Sequence, residues 1–158
     1  MDQVKLEPVI MPVRPPERMV QAFSRFDLGD IERWGPFLLR RLGEKYPFIR
    51  ETQHASWIRS LILMPDTFFI KSAEAIACAQ IQRDIFRPEG WVHERFVLGR
   101  GKNAAEQMSM LYQEIWRWGS NVGVHEFVVD KFSDLPRDQI QEALKTRIYK
   151  REEFYIKL

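Results

Sequence analysis

The sequence predicts an α+β fold, and two textures along the chain carry that prediction. Between Thr67 and Leu98 apolar residues alternate as they do on strands, whereas Met108, Leu111, Tyr112, Ile115, Trp118 and Val122 recur at helical spacing. The third observation is their order, which reads strand, helices, three strands, helix, strand, helix, strand. A chain of 158 residues that is 45% hydrophobic and 29% charged is of a size and composition to bury a core without metal or disulfide. A single domain over 1–158 is therefore expected, with an arm and helices up to Asp66 and a core from Thr67 to Leu158.

In the arm, Val9, Met11 and Val13 alternate among Pro8, Pro12, Pro15 and Pro16. This suits an extended arm or edge strand, because proline donates no ladder hydrogen bond. Met19, Ala22, Phe23 and Phe26 predict a helix from Pro16 to Phe26 with its prolines in the first turn. A second helix is expected from Asp30 to Lys45, with Ile31, Trp34, Leu38 and Leu42 on one face and Gly35-Pro36 as a kink or break. A third runs from Thr52 to Met64, with Thr52 as N-cap and Ala55, Ile58 or Trp57, Leu61 and Ile62 on its apolar face.

Thr67 to Ile70 and Ala75 to Arg83 read as a hairpin turning at Ser72-Ala73-Glu74. Arg87-Pro88-Glu89-Gly90 reads as a loop, and Trp91 to Leu98 as a third antiparallel strand. Strand alternation puts Val92, Glu94, Phe96 and Leu98 on one face and Trp91, His93, Arg95 and Val97 on the other. Gly99-Arg100-Gly101-Lys102-Asn103 opens a long helix from Ala104 to Asn121, with Gly123 in the C-cap region. A strand from His125 to Val129, a helix from Pro136 to Leu144 and a closing strand from Thr146 to Leu158 complete the chain.

Charge and composition exclude several functions. The net charge is +2, from 24 basic and 22 acidic residues, so strong nucleic-acid binding is not expected. Arg40-Arg41 and Lys145 to Arg151 read as solvated faces. The single Cys78 forbids an intramolecular disulfide and points to a reducing, cytoplasmic setting; in Ile76-Ala77-Cys78-Ala79 it reads as a small buried hydrophobe. No apolar run approaches membrane-spanning or signal-peptide length, so no membrane partner is expected. His54, His93 and His125 lack paired-ligand spacing, and no metal site is expected. Walker, dinucleotide and GxSxG motifs are absent from the sequence.

The element order, with a glycine-containing basic loop before the long helix, resembles the GNAT acetyltransferase superfamily. In that family the loop reads Gln or Arg, two residues, Gly, one residue, then Gly or Ala. Here Arg100, Gly101, Lys102 and Ala105 fit, with Ala104 at the unspecified position, while Asn103 stands where Gly is expected. The likeness covers about Thr67 to Leu158 and extends to the closing strand, where Ile148 replaces the usual glycine. It implies a GNAT-like fold with a mixed, mostly antiparallel central sheet flanked by helices. It also implies acetyl-CoA as cofactor, held by Val97, Arg100, Gly101, Lys102, Asn103, Ala104 and Ala105, because free amides and the helix dipole at such a terminus attract an anion. The other reading of this loop is a plain strand-to-helix turn.

By the same resemblance Glu94 is the catalytic base for an amine acceptor, and a glutamate buried beside aromatics can have the raised pKa such work needs. His93 is the alternative base, on the opposite face unless a bulge re-aims it. The family's acid tyrosine matches Leu144; Tyr149 and Tyr112 are nearby candidates, neither at the motif position. Two functions follow. One is an N-acetyltransferase moving acetyl from acetyl-CoA to an amine. The other is a catalytically inactive GNAT-like interaction or structural protein, working with a protein partner or as a homo-oligomer. The chain is compatible in this respect with the GNAT-like proteins of bacteriophages, some of which are virion components.

Overall fold

The computed structural model describes residues 23–130 and 133–145. In order they form β1 (Ser24–Arg25), a short 3-10 helix (Leu28–Asp30), α1 (Ile31–Lys45), α2 (Glu51–Leu63), β2 (Thr67–Lys71), β3 (Ala75–Asp84), β4 (Arg87–Gly99), α3 (Ala104–Asn121), β5 (Phe127–Val128) and α4 (Arg137–Leu144). The expected arm around Val9 to Val13, most of the helix from Pro16, and the closing strand with Tyr149 lie outside the described residues.

The strands make one sheet in the order β1-β2-β3-β4-β5. Neighbours are antiparallel from β1 to β4, and β5 joins β4 in parallel, which gives the expected mixed and mostly antiparallel sheet. Each face of the sheet buries its own cluster. Ala75, Ala77, Ala79 and Ile81 of β3 pack with Met108, Leu111, Tyr112 and Ile115 of α3 and with Ile140 and Leu144 of α4. On the other face Ile76 and Cys78 pack with Trp34, Leu38 and Leu42 of α1 and with Ile58 and Leu61 of α2. The small residues facing α3 let helix and sheet approach closely, and a Cβ on Gly119 would stand 2.5 Å from Val92 Cγ2.

Several expectations are corrected. Ser24–Arg25 is an edge strand rather than the end of a helix, because Phe26 N–H donates to the Phe69 carbonyl (2.8 Å) and the two rings stack at 4.2 Å. Gly35-Pro36 does not divide α1, which runs unbroken to Lys45 and buries Trp34, Phe37, Leu38 and Leu42. Burial of that stripe outweighs the one backbone hydrogen bond that Pro36 forgoes. The N-cap of α2 is Arg50 rather than Thr52, and the Gln53 side chain accepts from Arg50 N–H (3.1 Å). The buried face of α2 carries His54, Ile58 and Leu61. Arg87 to Gly90 is strand; the turn is at Ile85-Phe86, where Asp84 Oδ1 accepts from the Phe86 and Arg87 amides. Strand β5 keeps only Phe127–Val128 of the expected five residues.

The correction that matters most for chemistry is in β4. Cys78 pairs with Phe96 but Ala79 pairs with Glu94, so Arg95 is an extra residue and β4 bulges there. A bulge of one residue reverses the side-chain alternation beyond it. Val92 and Val97 consequently pack on the α3 face while Phe96 and Leu98 pack on the α1 and α2 face. The expected common face of Val92, Glu94, Phe96 and Leu98 therefore breaks after Glu94.

Candidate active site

The bulge coincides with the place where β5 leaves β4. Their pairing is confined to Val92 with Phe127 and His93 with Val128. Beyond it, among the described residues, β4 has no strand partner on that edge. At its far end the Gly99 amide donates instead to Asp134 Oδ2 (3.3 Å), and Arg41 of α1 forms a two-pronged ion pair with the same carboxylate. The sheet thus opens into a gap beside the bulge.

A cavity of ≈ 360 Å³ lies at this point, lined by Tyr46, Ile49, Gln53, His54, Trp57, His93, Glu94, Arg95 and Asp130. Its walls come from the α1–α2 connection, from α2, from the bulge and from the residue two beyond β5. Glu94 is only 2% exposed. Tyr112 hydroxyl donates to its Oε1 (2.6 Å), and the Ser133 hydroxyl is 2.8 Å from its Oε2. Burial pushes the Glu94 carboxyl up to about 7, the two hydroxyl donors hold it down in part, and the Asp130 carboxylate adds to the rise. Such a group changes charge near neutral pH, as a proton acceptor for an ammonium requires. His93 lines the same cavity, two residues before the bulged Arg95.

The tyrosine candidate inside the described residues, Tyr112, is fully buried, and desolvation together with the Glu94 carboxylate pushes its phenol well up. It is a donor that orients Glu94. Leu144 is packed in the core of α4. Burial also pushes the Cys78 thiol well up, consistent with an inert core residue. Among the described residues no group of three or more His, Cys, Asp or Glu stands as a metal site, and no helix is long and apolar enough to cross a membrane.

The loop from Arg100 to Ala105 lies at the other end of the gap. Gly101 has φ +99°, and a Cβ there would meet Glu74 Oε1 at 2.2 Å. That carboxylate, from the β2–β3 turn, accepts from the Asn103 backbone N–H (2.9 Å) and from Asn103 Nδ2 (3.1 Å). Further bonds seat Glu74: its carbonyl accepts from Arg100 N–H (2.8 Å), and its own amide donates to Gln107 Oε1 (2.6 Å). The Arg100 guanidinium lies 4.0 Å above the Trp34 ring and 5.2 Å from that of Phe37, against α1. Lys102, Asn103 and Ala105 are exposed, and Val97 is buried in the α3 cluster.

Glu94, on β4, and the loop that follows the end of β4 thus flank one gap. Sequence reasoning missed Glu74, which reads as a turn residue, and Asp130, Tyr46 and Trp57, which gather only through the fold. It also missed His54 as a cavity residue, although His54, Ile58 and Leu61 keep helical spacing.

No protein-family model and no curated protein matches the chain. Among solved structures it is similar to the aminoglycoside 6'-N-acetyltransferase AAC(6')-IG of Acinetobacter haemolyticus, at 12% identity and a TM-score of 0.63, covering 86% of this chain and 97% of that one. It is similar to glucosamine-6-phosphate N-acetyltransferase of Arabidopsis thaliana, at 10% identity and a TM-score of 0.60, covering 85% and 97%. A third likeness is to AAC(6')-Iy in complex with the bisubstrate analogue CoA-S-monomethyl-acetylneamine, at 18% identity and a TM-score of 0.57, covering 86% and 97%. The chain has the fold of the GNAT acetyltransferases. At these identities the likeness concerns the fold alone.

Proposed function

We propose that this protein is an N-acyltransferase that takes acetyl from acetyl-CoA and transfers it to a small amine in the cavity beside Glu94. The observation that carries the reading is Glu94 itself, 2% exposed, its carboxyl pushed up to about 7 by burial, lining a cavity where β4 bulges and β5 diverges. Similar folds whose names specify acetyl transfer to amino sugars, one of them holding a CoA analogue, add support. Acetyl-CoA supplies the activated thioester. The chain's own part is to hold the amine, and Glu94 accepts the proton the ammonium must lose, its carboxylate oriented by Tyr112 and Ser133.

The residues fit an anion at the start of α3. Gly101 leaves a hollow that a Cβ would fill, and a carboxylate stands in for phosphate against the Asn103 amide. In this reading the amides from Gly101 to Ala105 hold the pyrophosphate once Glu74 swings away, Lys102 adds charge, and Val97 packs near the acyl chain. Arg100 reaches the phosphates only by leaving Trp34. A thiol-release assay with acetyl-CoA and an amine panel, beside calorimetric titration of acetyl-CoA, tests the reading. No heat at millimolar ligand would remove it. The second reading, a GNAT-like interaction protein without cofactor, is favoured by the same Glu74 contact, taken as permanent.

A further inference from the structure

Arg95, the extra residue of the β4 bulge, lines the cavity beside Glu94. Its Nε donates to Gln80 Oε1 (2.6 Å), and Gln80 Nε2 donates in turn to Thr67 Oγ1 (3.1 Å). Gln80 and Thr67 are buried and face each other across β3 and β2, so a polar chain through three adjacent strands fixes one edge of the guanidinium. No carboxylate among the described residues pairs with Arg95. Burial lowers its pKa, and the groups that oppose this are Cys78 and Tyr46, neither of them an acid of the carboxylate kind. An arginine keeps its charge under such conditions, so the fold holds a part-buried cation without a counter-ion, which is unfavourable in itself. The charge acts on the cavity. Burial and then the Asp130 and Glu94 carboxyls push the phenol of Tyr46 up, and Arg95 opposes them, so all three charged groups bear on one hydroxyl of the lining.

We infer that Arg95 selects the acceptor: the cavity takes a small amine that carries one carboxylate, as an amino acid does, with the carboxylate on the Nη edge of Arg95 and the amine toward Glu94. This rests on the acyl-transfer reading of the site and names its acceptor class. With Nε held by Gln80, the two terminal nitrogens still present the parallel N–H pair that a carboxylate binds in two-pronged fashion. The charge of the ligand follows from the lining. Arg95 is its one lysine or arginine and stands beside the acidic Glu94 and Asp130, so a single negative charge is matched and a doubly charged phosphate is not. A polycation would bring its own charges against Arg95. The size follows from the volume, ≈ 360 Å³, near the lower end of the roughly 300–1,000 Å³ usual for ligand pockets. Tyr46, Ile49 and Trp57 offer apolar surface for the rest of the acceptor.

The probes are phenylalanine, leucine and γ-aminobutyrate, each beside the amine that lacks its carboxylate: phenethylamine, isopentylamine and propylamine. Spermidine serves as the polycation and O-phosphoethanolamine as the phosphate. With no acyl donor present, at least one of the three carboxylated probes should move the Arg95 Nε–H resonance in the full-length protein, while its partner amine leaves it in place. In transfer from acetyl-CoA, kcat/KM should favour that probe over its partner amine by about ten- to a hundredfold, because the analogue leaves the guanidinium without its counter-charge. Arg95→Gln should bring the ratio close to one. Arg95→Lys, which keeps the charge and loses the two-pronged geometry, should retain part of the preference. If the glutamine variant does not fold, the wild-type resonance and the lysine variant still decide. The inference is overturned if no carboxylated probe moves Arg95, if every ratio is near one in the wild type or the preference survives in Arg95→Gln, or if spermidine or O-phosphoethanolamine is the best acceptor. A carboxylated probe moving Arg95 without any transfer would support the acceptor site and defeat the acyl-transfer reading; transfer with every ratio near one would do the reverse.

Discussion

Replacing Glu74 with alanine should tighten acetyl-CoA binding about tenfold. The Glu74 carboxylate accepts from both the backbone and the side chain of Asn103, in the hollow that Gly101 leaves at the start of α3. An incoming pyrophosphate must displace that carboxylate and then bear its negative charge nearby. A hydrogen bond to a charged group contributes about 1.5–3 kcal/mol, and because these contacts face solvent the lower end applies. A change of about 1.4 kcal/mol is a factor of ten in affinity. Calorimetric titration of the wild type and Glu74→Ala with acetyl-CoA measures it, and amide resonances of Gly101, Lys102 and Asn103 place the ligand. A folded Glu74→Ala protein whose affinity equals that of the wild type would refute the competition between carboxylate and phosphate. Resonance changes confined to residues far from this loop would refute the location.

Three further outcomes are expected. The rate should rise with pH through about 7 as Glu94 ionises, and Glu94→Gln should lower it by about 10²–10⁴-fold while leaving acetyl-CoA affinity nearly unchanged, as paired rate and binding measurements will read. The Glu94 carboxyl is raised from 4.5 to about 7 on folding, so the native state binds its proton more tightly than the unfolded chain. Stability should therefore fall as pH rises from about 4.5 to 7, by about 3 kcal/mol for this group, and chemical denaturation of Glu94→Gln should lack that fall. Gly119→Ala should destabilise by about 1–3 kcal/mol, because its Cβ would overlap Val92 Cγ2 across the α3–sheet contact; an unchanged denaturation midpoint would contradict that packing.

The sequence by itself determined the central architecture, because local patterns carried it. Alternation over Thr67 to Leu98 and the helical stripe from Met108 to Ile115 are periodicities that a backbone must satisfy to bury them, and β2, β3, β4 and α3 follow them closely. The place of Glu94, on the strand before the loop, was legible for the same reason. What only the tertiary structure decided was each feature made by distant segments meeting. The bulge at Arg95 is a matter of register between β3 and β4, and one extra residue is invisible in a pattern of period two. Ser24 and Arg25 read as helix in isolation but pair with Lys71 and Ile70, since a sheet edge offers the backbone partners that a helix end does not. Glu74 and Asn103 are 29 residues apart, and the orphaned nitrogen of His54 depends on every side chain that could have reached it and does not. Periodicity reports which face of an element is buried; which groups then confront each other is settled by packing in three dimensions.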